Sequence, residues 1–159
     1  MSVINVTAGS QAILTLGNTE VLAAPAAVGG LVVPLVQDVT VSAAPGTVRY
    51  STLDSGSSSA FTTTNENEIS FNMLVDDDVF FGNAALTTNS VAELGLLTTS
   101  INKTEIFFSV AFEGDTSTDN YIKGKGFIGG LAPTASIDQA VWLSPGTIIV
   151  NGELTKDTV

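Results

Sequence analysis

The residues with the clearest chemical potential in this sequence are three consecutive carboxylates, Asp76, Asp77 and Asp78. Clustered carboxylate oxygens are the hard ligands that Ca²⁺ prefers. A calcium loop, however, spaces its ligands as in D-x-D-x-D-G so that they converge, whereas consecutive residues of an extended chain point in alternating directions. The spacing therefore favours a solvated, negatively charged strand end, and we predict no metal site.

Other catalytic chemistry has few candidate residues. The chain contains no histidine and no cysteine, so the commonest general base and all thiolate chemistry are missing. Glu105 and Glu113 form a carboxylate pair of the kind that glycosidases use, but nothing in the pattern brings them to one cleft. We predict no catalytic residue, no cofactor and no enzymatic activity.

A glycine-rich segment, YIKGKGFIGGLAP at residues 121–133, combines four glycines with Lys123 and Lys125. It lacks the G-x-x-x-x-G-K-[ST] pattern and the following helix that a phosphate-binding loop requires. Glycines within a strand more often mark a bulge or the close approach of another backbone. Trp142, the single tryptophan, is interpreted as a core or interface anchor rather than a sugar platform.

Composition indicates a surface that other subunits could cover. Hydrophobic residues make up 44% of the 159 residues and charged residues only 13%, well below the roughly 25% charged residues of ordinary domains. Sixteen carboxylates against five basic residues give a net charge of -11. Such a surface repels nucleic acid, so we predict no tight DNA binding, although a wall past which DNA slides would suit it.

The elements that must position these residues are mainly strands. Alternating apolar and polar residues predict about nine strands in a single domain spanning residues 1–159, with turns at Pro45 and Gly46 and at residues 144–146. The predicted strands are residues 3–6, 12–16, 36–42, 47–53, 68–75, 103–112, 121–131, 140–143 and 147–154. An S-x-x-E capping box at Ser90 and Glu93 predicts one short helix within residues 88–99. The expected fold class is all-β dominated, a sandwich or barrel with a flanking helix.

Three further segments are expected to lie outside the regular elements. Residues 54–67 consist mainly of Ser, Thr, Asn and Gly, and predict a long polar loop or a hairpin tip, which in compact domains is often functional. Residues 21–36 are apolar but are interrupted by Pro and Gly, which predicts a loop rather than a membrane helix. Residues 155–159 are expected to form a short free or docking tail. No secretory signal is recognised, so we expect folding in the cytoplasm.

The order of these features resembles the major tail tube proteins of long-tailed, siphovirus-like bacteriophages. The resemblance runs through VQDVTVSA, the long polar loop, NEISFNMLVDDD, TNSVAELGLL, TEIFFSVAFEG, the glycine-rich strand and GTIIVNGEL. It covers most of the chain, except residues 21–36, which do not match the family pattern. It implies a tail tube fold whose subunits form stacked hexameric rings, a negatively lined conduit for DNA during ejection.

The resemblance also implies a location in the virion tail, after assembly in the host cytoplasm, and a set of partners. The partners are further copies of the chain and the tape measure, tail terminator and distal tail proteins, with DNA only passing through the lumen and no membrane. The long polar loop would stack one ring on the next. The ring-stacking residues so implied are Arg49, Tyr50, Asp54, Ser55, Gly56, Ser57, Ser58, Ser59 and Phe61.

Two other functions fit the sequence. A head decoration protein or another β-rich virion subunit would also be acidic, free of cysteine and rich in strands, and would form trimers rather than stacked hexamers. A calcium-binding or carbohydrate-binding β-sandwich module is the second alternative. Calcium-dependent stabilisation or glycan binding would distinguish that module from a virion subunit.

Overall fold

The computed structural model describes residues 13–18, 31–33, 36–51, 53, 56–86, 90–111 and 120–158. The strands are β1 (Ile13–Gly17), β2 (Leu31–Val32), β3 (Val36–Tyr50), β4 (Ser59–Leu74), β5 (Glu105–Ala111), β6 (Asn120–Gly129), β7 (Thr134–Ser136), β8 (Gln139–Val150) and β9 (Thr155–Thr158), and the helices are α1 (Asp77–Phe81) and α2 (Val91–Ile101). The predicted strand at residues 3–6 lies outside the described residues.

The described strands form one sheet in which every pairing is antiparallel. Its order is β2-β1-β5-β6-β8-β4-β3. Two short strands fill gaps along the long ones: β9 pairs with the first part of β6, where β8 does not reach, and β7 pairs with the first part of β8. The prediction of a mostly β fold is therefore confirmed, with two helices instead of one.

The main hydrophobic core lies on one face of this sheet, and its residues alternate along the strands as the sequence predicts. On the other face, residues of β1, β5 and β6 are also buried. Ile69, Phe71 and Met73 of β4 are at most 1% exposed, and the alternate residues of β5, Ile106 and Phe108, are completely buried. β5 lies between β1 and β6, which confirms that it is a central strand. Because β3 lies at the end of the sheet order, one of its edges has no strand partner among the described residues.

Two glycines make room for two of the buried phenylalanine rings. Gly124 pairs with Phe108 across β6 and β5, and Gly146 pairs with Phe71 across β8 and β4. A Cβ atom on Gly146 would lie 2.4 Å from the Phe71 ring, and one on Gly124 would lie 2.9 Å from the Phe108 ring. Each phenyl ring therefore lies over its glycine partner, where any larger residue would displace it.

Both predicted proline and glycine turns are wrong, because strands continue through them. At Pro45 the β3–β4 register shifts and Thr63 and Thr64 of β4 oppose Gly46 of β3, which is a β-bulge. Pro145 lies inside β8, between the part that pairs with β7 and the part that pairs with β6. A proline is tolerated where no neighbouring strand needs its missing N–H group.

Ser90, the serine of the predicted capping box, is the N-cap of α2. The Ser90 hydroxyl accepts a hydrogen bond from the Glu93 amide at 3.4 Å, and Asn18 Oδ1 accepts one from the Val91 amide at 2.9 Å. Gly95 has φ 77° and interrupts the helix, and Gly82, with φ 95°, lies against it. A Cβ on Gly95 would lie 2.4 Å from the Gly82 nitrogen, so these two glycines let α1 and α2 touch backbone to backbone.

The segments expected outside the regular elements are more ordered than predicted. Residues 59–67 of the polar segment belong to β4, so the alternative of a hairpin tip is the correct one and the long loop is wrong for them. Leu31–Val32, within the segment predicted as a loop, is strand β2, and residues 21–30 lie outside the described residues. Thr155–Thr158 pairs with β6, so this end of the chain docks on the sheet.

Candidate assembly surfaces

The outer half of the β3–β4 hairpin extends beyond the rest of the sheet. We call residues 43–66 the arm. β8 follows β4 only as far as the Glu68–Ile149 pair, so the arm has two strands and, among the described residues, no third. Every residue of β4 from Ser59 to Glu66 is exposed. A two-stranded hairpin is marginally stable in water by itself, which favours a role for the arm in contacts with other chains.

One face of the arm is apolar near its end. Val48 pairs directly with Phe61 across the two strands, and the rings of Tyr50 and Phe61 are 6.1 Å apart between centroids. These three side chains are between 43% and 53% exposed. We call Val48, Tyr50 and Phe61 the arm patch. Contiguous exposed apolar side chains of this kind are typical of interaction sites.

The residues that the resemblance assigns to ring stacking fall at this end of the arm. Arg49 and Tyr50 end β3, Ser59 and Phe61 are among the first residues of β4, and Gly56, Ser57 and Ser58 lie in the connection between the strands. Asp54 and Ser55 lie outside the described residues. The structure thus brings the described members of the set together at one end of the hairpin, as pairs such as Tyr50 with Ser59.

The face of the sheet opposite the core carries several carboxylates. Asp38, Glu66 and Glu68 are exposed on β3 and β4. Asp38 accepts hydrogen bonds from the Asn72 amide at 3.0 Å, and Glu68 accepts one from the Ser70 hydroxyl at 3.0 Å. No Lys or Arg among the described residues forms an ion pair with these three carboxylates. This part of the sheet therefore presents uncompensated negative charge.

The glycine-rich strand shows one of the two structural roles predicted for it. A Cβ on Gly126 would overlap the carbonyl oxygen of Ile149 in β8, so this glycine permits the close approach of another backbone. Lys125 Nζ lies 3.5 Å from Glu105 Oε1, and Glu105 also accepts a hydrogen bond from Asn151. Glu105 is thus part of a polar cluster on the sheet, while its predicted carboxylate partner Glu113 lies outside the described residues.

The three aspartates begin a helix instead of ending a strand in solvent, which corrects the sequence prediction. β4 ends at Leu74, and Asp76 is the N-cap of α1, where its carboxylate accepts a hydrogen bond from the Val79 amide at 3.2 Å. Asp77 and Asp78 occupy the first turn, where negative charge favours the helix dipole. Among the described residues no group of three or more His, Cys, Asp or Glu side chains could hold a metal ion.

Trp142 lies in a shallow groove at the α1 end of the sheet. Its side chain is 55% exposed, so of the two predicted roles the core role is wrong. We call this the Trp142 groove; it has a volume of about 500 Å³ and is lined by Val75, Asp77, Phe80, Phe81, Pro133 and Trp142. Because three separate chain segments supply these residues, only the folded structure reveals the groove.

Comparison with known proteins shows what this fold is similar to. No protein-family model matches the chain, and no curated protein matches it in sequence. The SPP1 tail tube subunit, solved by solid-state NMR and cryo-EM, matches with TM-score 0.66 and 11% identity over 97% of this chain and 80% of that one. A subunit of the tail of an empty gene transfer agent particle, refined with C6 symmetry, matches with TM-score 0.64 and 11% identity, and a subunit of the native particle's virion with 0.63 and 10%, each covering 96% of this chain and 100% of the other.

These matches confirm the tail tube fold predicted from the sequence. None of the described helices is long and apolar enough to cross a membrane.

Proposed function

We propose that this chain is a structural subunit of a virus tail tube, without enzymatic activity, that assembles with copies of itself into stacked hexameric rings. The observation that carries the proposal is the arm: a hairpin with no core of its own, projecting from a domain with the tail tube fold. Because such a hairpin gains little from its own chain, a neighbouring subunit is the natural source of its missing contacts. The C6 symmetry of the gene transfer agent tail supports six subunits in a ring.

The charge distribution supports a conduit for DNA. Asp38, Glu66 and Glu68 lie on the exposed face of β3 and β4 with no basic partner among the described residues. If this face lines the lumen, it repels the phosphate backbone, so that DNA passes without binding. The proposed location is the virion tail, and the other proposed partners are the tape measure, tail terminator and distal tail proteins.

The test is electron microscopy of the purified protein at low and high concentration, together with an arm-deleted variant. In that variant an Asn-Gly turn, the pair favoured in two-residue hairpins, replaces residues 44–66 and joins Ala43 to Asn67, which are paired in the sheet. The natural chain should form six-fold rings that stack into hollow tubes. The arm-deleted variant should stay folded, because almost all of the removed side chains that the structure describes are exposed, but should form no long tubes.

Other outcomes would count against the proposal. Trimers or dispersed monomers of the natural chain at high concentration would favour a decoration protein or a binding module. Tubes of normal length from the arm-deleted variant would show that ring stacking does not need the arm. Thermal melts of both proteins provide the folding control.

A further inference from the structure

The Trp142 groove and the arm patch lie at opposite ends of the same strand. β4 runs from the arm to Leu74, and the next residue, Val75, donates its amide to the Trp142 carbonyl at 2.9 Å. Phe61 and Leu74 are thirteen residues apart, which in a strand corresponds to about 43 Å. Each subunit thus has one exposed apolar surface at each end, and the two cannot meet within one chain.

The Trp142 groove extends the hydrophobic core into solvent. Its floor includes Phe80, which is 1% exposed, while the neighbouring Phe81 is 58% exposed. The two rings meet edge to face with 5.1 Å between centroids. Since Ser144 and Ile148 of β8 are buried, Trp142 is the exposed residue that continues the buried face of that strand. An exposed continuation of a core is a surface that a partner can cover with little loss of polar hydration.

Charge decides which surface fits the groove. Asp77 lines it and Asp78 is exposed beside it, so two grooves facing each other would bring like charges together. The arm end carries Arg49, the one arginine of the chain, and Asp54, so these two charges cancel. Arm against groove therefore brings fewer like charges together than groove against groove.

We propose that the arm patch of one subunit packs into the Trp142 groove of a second copy. This inference rests on the proposed function, since it names the surface that receives the arm when rings stack. The contact is head to tail, because donor and acceptor lie at opposite ends of the subunit. A contact of that kind leaves one free arm and one free groove on every bound pair, so it can repeat along an axis.

The experiment combines two variants, each lacking one half of the contact. Trp142→Ala removes the large aromatic wall of the groove but keeps the arm, and the arm-deleted variant keeps the groove. Trp142→Ala should raise the protein concentration needed for stacking at least about tenfold, because a buried tryptophan is a typical interface hot spot. Mixed together, the two variants should form paired rings that do not elongate, since one arm and one groove remain to bind each other.

Sedimentation velocity and electron microscopy of each protein and of the mixture give the readout. Val141→Ala is the matched control, because Val141 is 48% exposed, adjoins Trp142 and does not line the groove. It should stack like the natural chain. If Trp142→Ala loses its fold in a thermal melt, Phe81→Ser replaces it in every sample. Phe81 occupies a more exposed position of the same groove.

Two results would overturn the inference. Normal stacking by Trp142→Ala, or absence of paired rings in the mixture, would show that the arm binds elsewhere while the tail tube proposal stands. Failure of the natural chain to form rings at any concentration would instead count against the proposed function itself. The two failures are therefore distinguishable in the same set of samples.

Discussion

The two halves of the β3–β4 hairpin have the same secondary structure, but the inner half of β4 contributes buried residues to the core and the outer half is exposed. In the inner half, β4 pairs with both β3 and β8, and Ile69, Phe71 and Met73 are buried. In the outer half, the arm, the same two strands pair only with each other and their side chains are exposed. The β3–β4 pairing is therefore common to both halves, and they differ in the third strand, β8, and in burial.

The difference shows how a subunit can project an ordered contact surface without a core beneath it. The register of the hairpin is fixed where one face is buried, because a slip by one residue would turn Phe71 and its neighbours to solvent. The same two strands continue into the arm, where the register shifts once, at the β-bulge opposite Gly46. A polar ribbon can therefore be positioned by the inner half and still depend on other chains for most of its burial.

Substitution of two phenylalanines on β4, one in each half of the hairpin, tests this difference in burial most directly. Phe71→Ala should lower the free energy of unfolding by about 3–5 kcal/mol, because it leaves a cavity among β4, β8 and the core. Phe61→Ala, in the arm, should lower it by less than about 1 kcal/mol, because that ring is 53% exposed and its neighbours Val48 and Tyr50 are half-exposed arm residues as well. Urea unfolding of dilute, unassembled protein measures both values.

Assembly should rank the same two variants differently. Phe61→Ala should impair tube formation although its fold is intact, since it removes the centre of the arm patch. A loss of monomer stability in Phe61→Ala equal to that in Phe71→Ala would mean that the arm is folded against its own chain and would contradict the comparison.

A pair of glycines tests the same contrast through the backbone. Gly95→Ala should destabilise the protein by about 1–3 kcal/mol from its positive φ alone, and more if the Cβ pushes α1 away from α2 at Gly82. Gly56→Ala, at the end of the arm, should change stability by less than about 0.5 kcal/mol, because a Cβ there meets nothing within 4 Å. Thermal melts should show a lower midpoint for Gly95→Ala only, and equal midpoints would show that α1 adjusts to the change without cost.

The sequence predicted the inner half well because burial leaves a periodic pattern. Alternation correctly placed Ile69, Phe71 and Met73 on one face, and Ile106 and Phe108 on one face of β5. In the arm it identified residues 47–50 of β3 as strand. It could not identify the β4 side, residues 59–66, because a ribbon exposed on both faces has no alternation of apolar and polar residues to detect. The serine, threonine and asparagine residues there are typical of loops.

The remaining errors have local causes. Pro45 and Pro145 suggested turns, but a β-bulge and a gap in strand pairing allow each strand to continue. α1 has only five residues, too few to show a helical period, so its three aspartates suggested a strand end. The Trp142 groove could not be predicted from the sequence, because three separate parts of the chain form its walls. These are the segment 75–81, which contains α1, then Pro133 before β7, and Trp142 in β8.

The smallest predicted effect compares two serines, one in each region. Ser90→Ala removes the N-cap of α2 and should cost about 0.5–1 kcal/mol, at the lower end of N-cap effects because the hydrogen bond to Glu93 is 3.4 Å long and Asn18 also caps the helix. Ser58→Ala, in the exposed connection of the arm, should be neutral within about 0.5 kcal/mol. Urea unfolding resolves a difference of this size when both variants are fitted with one common m-value, the slope of unfolding free energy against urea concentration. If Ser58→Ala proved the more costly change in the unassembled protein, the arm would have internal structure that its exposure does not suggest.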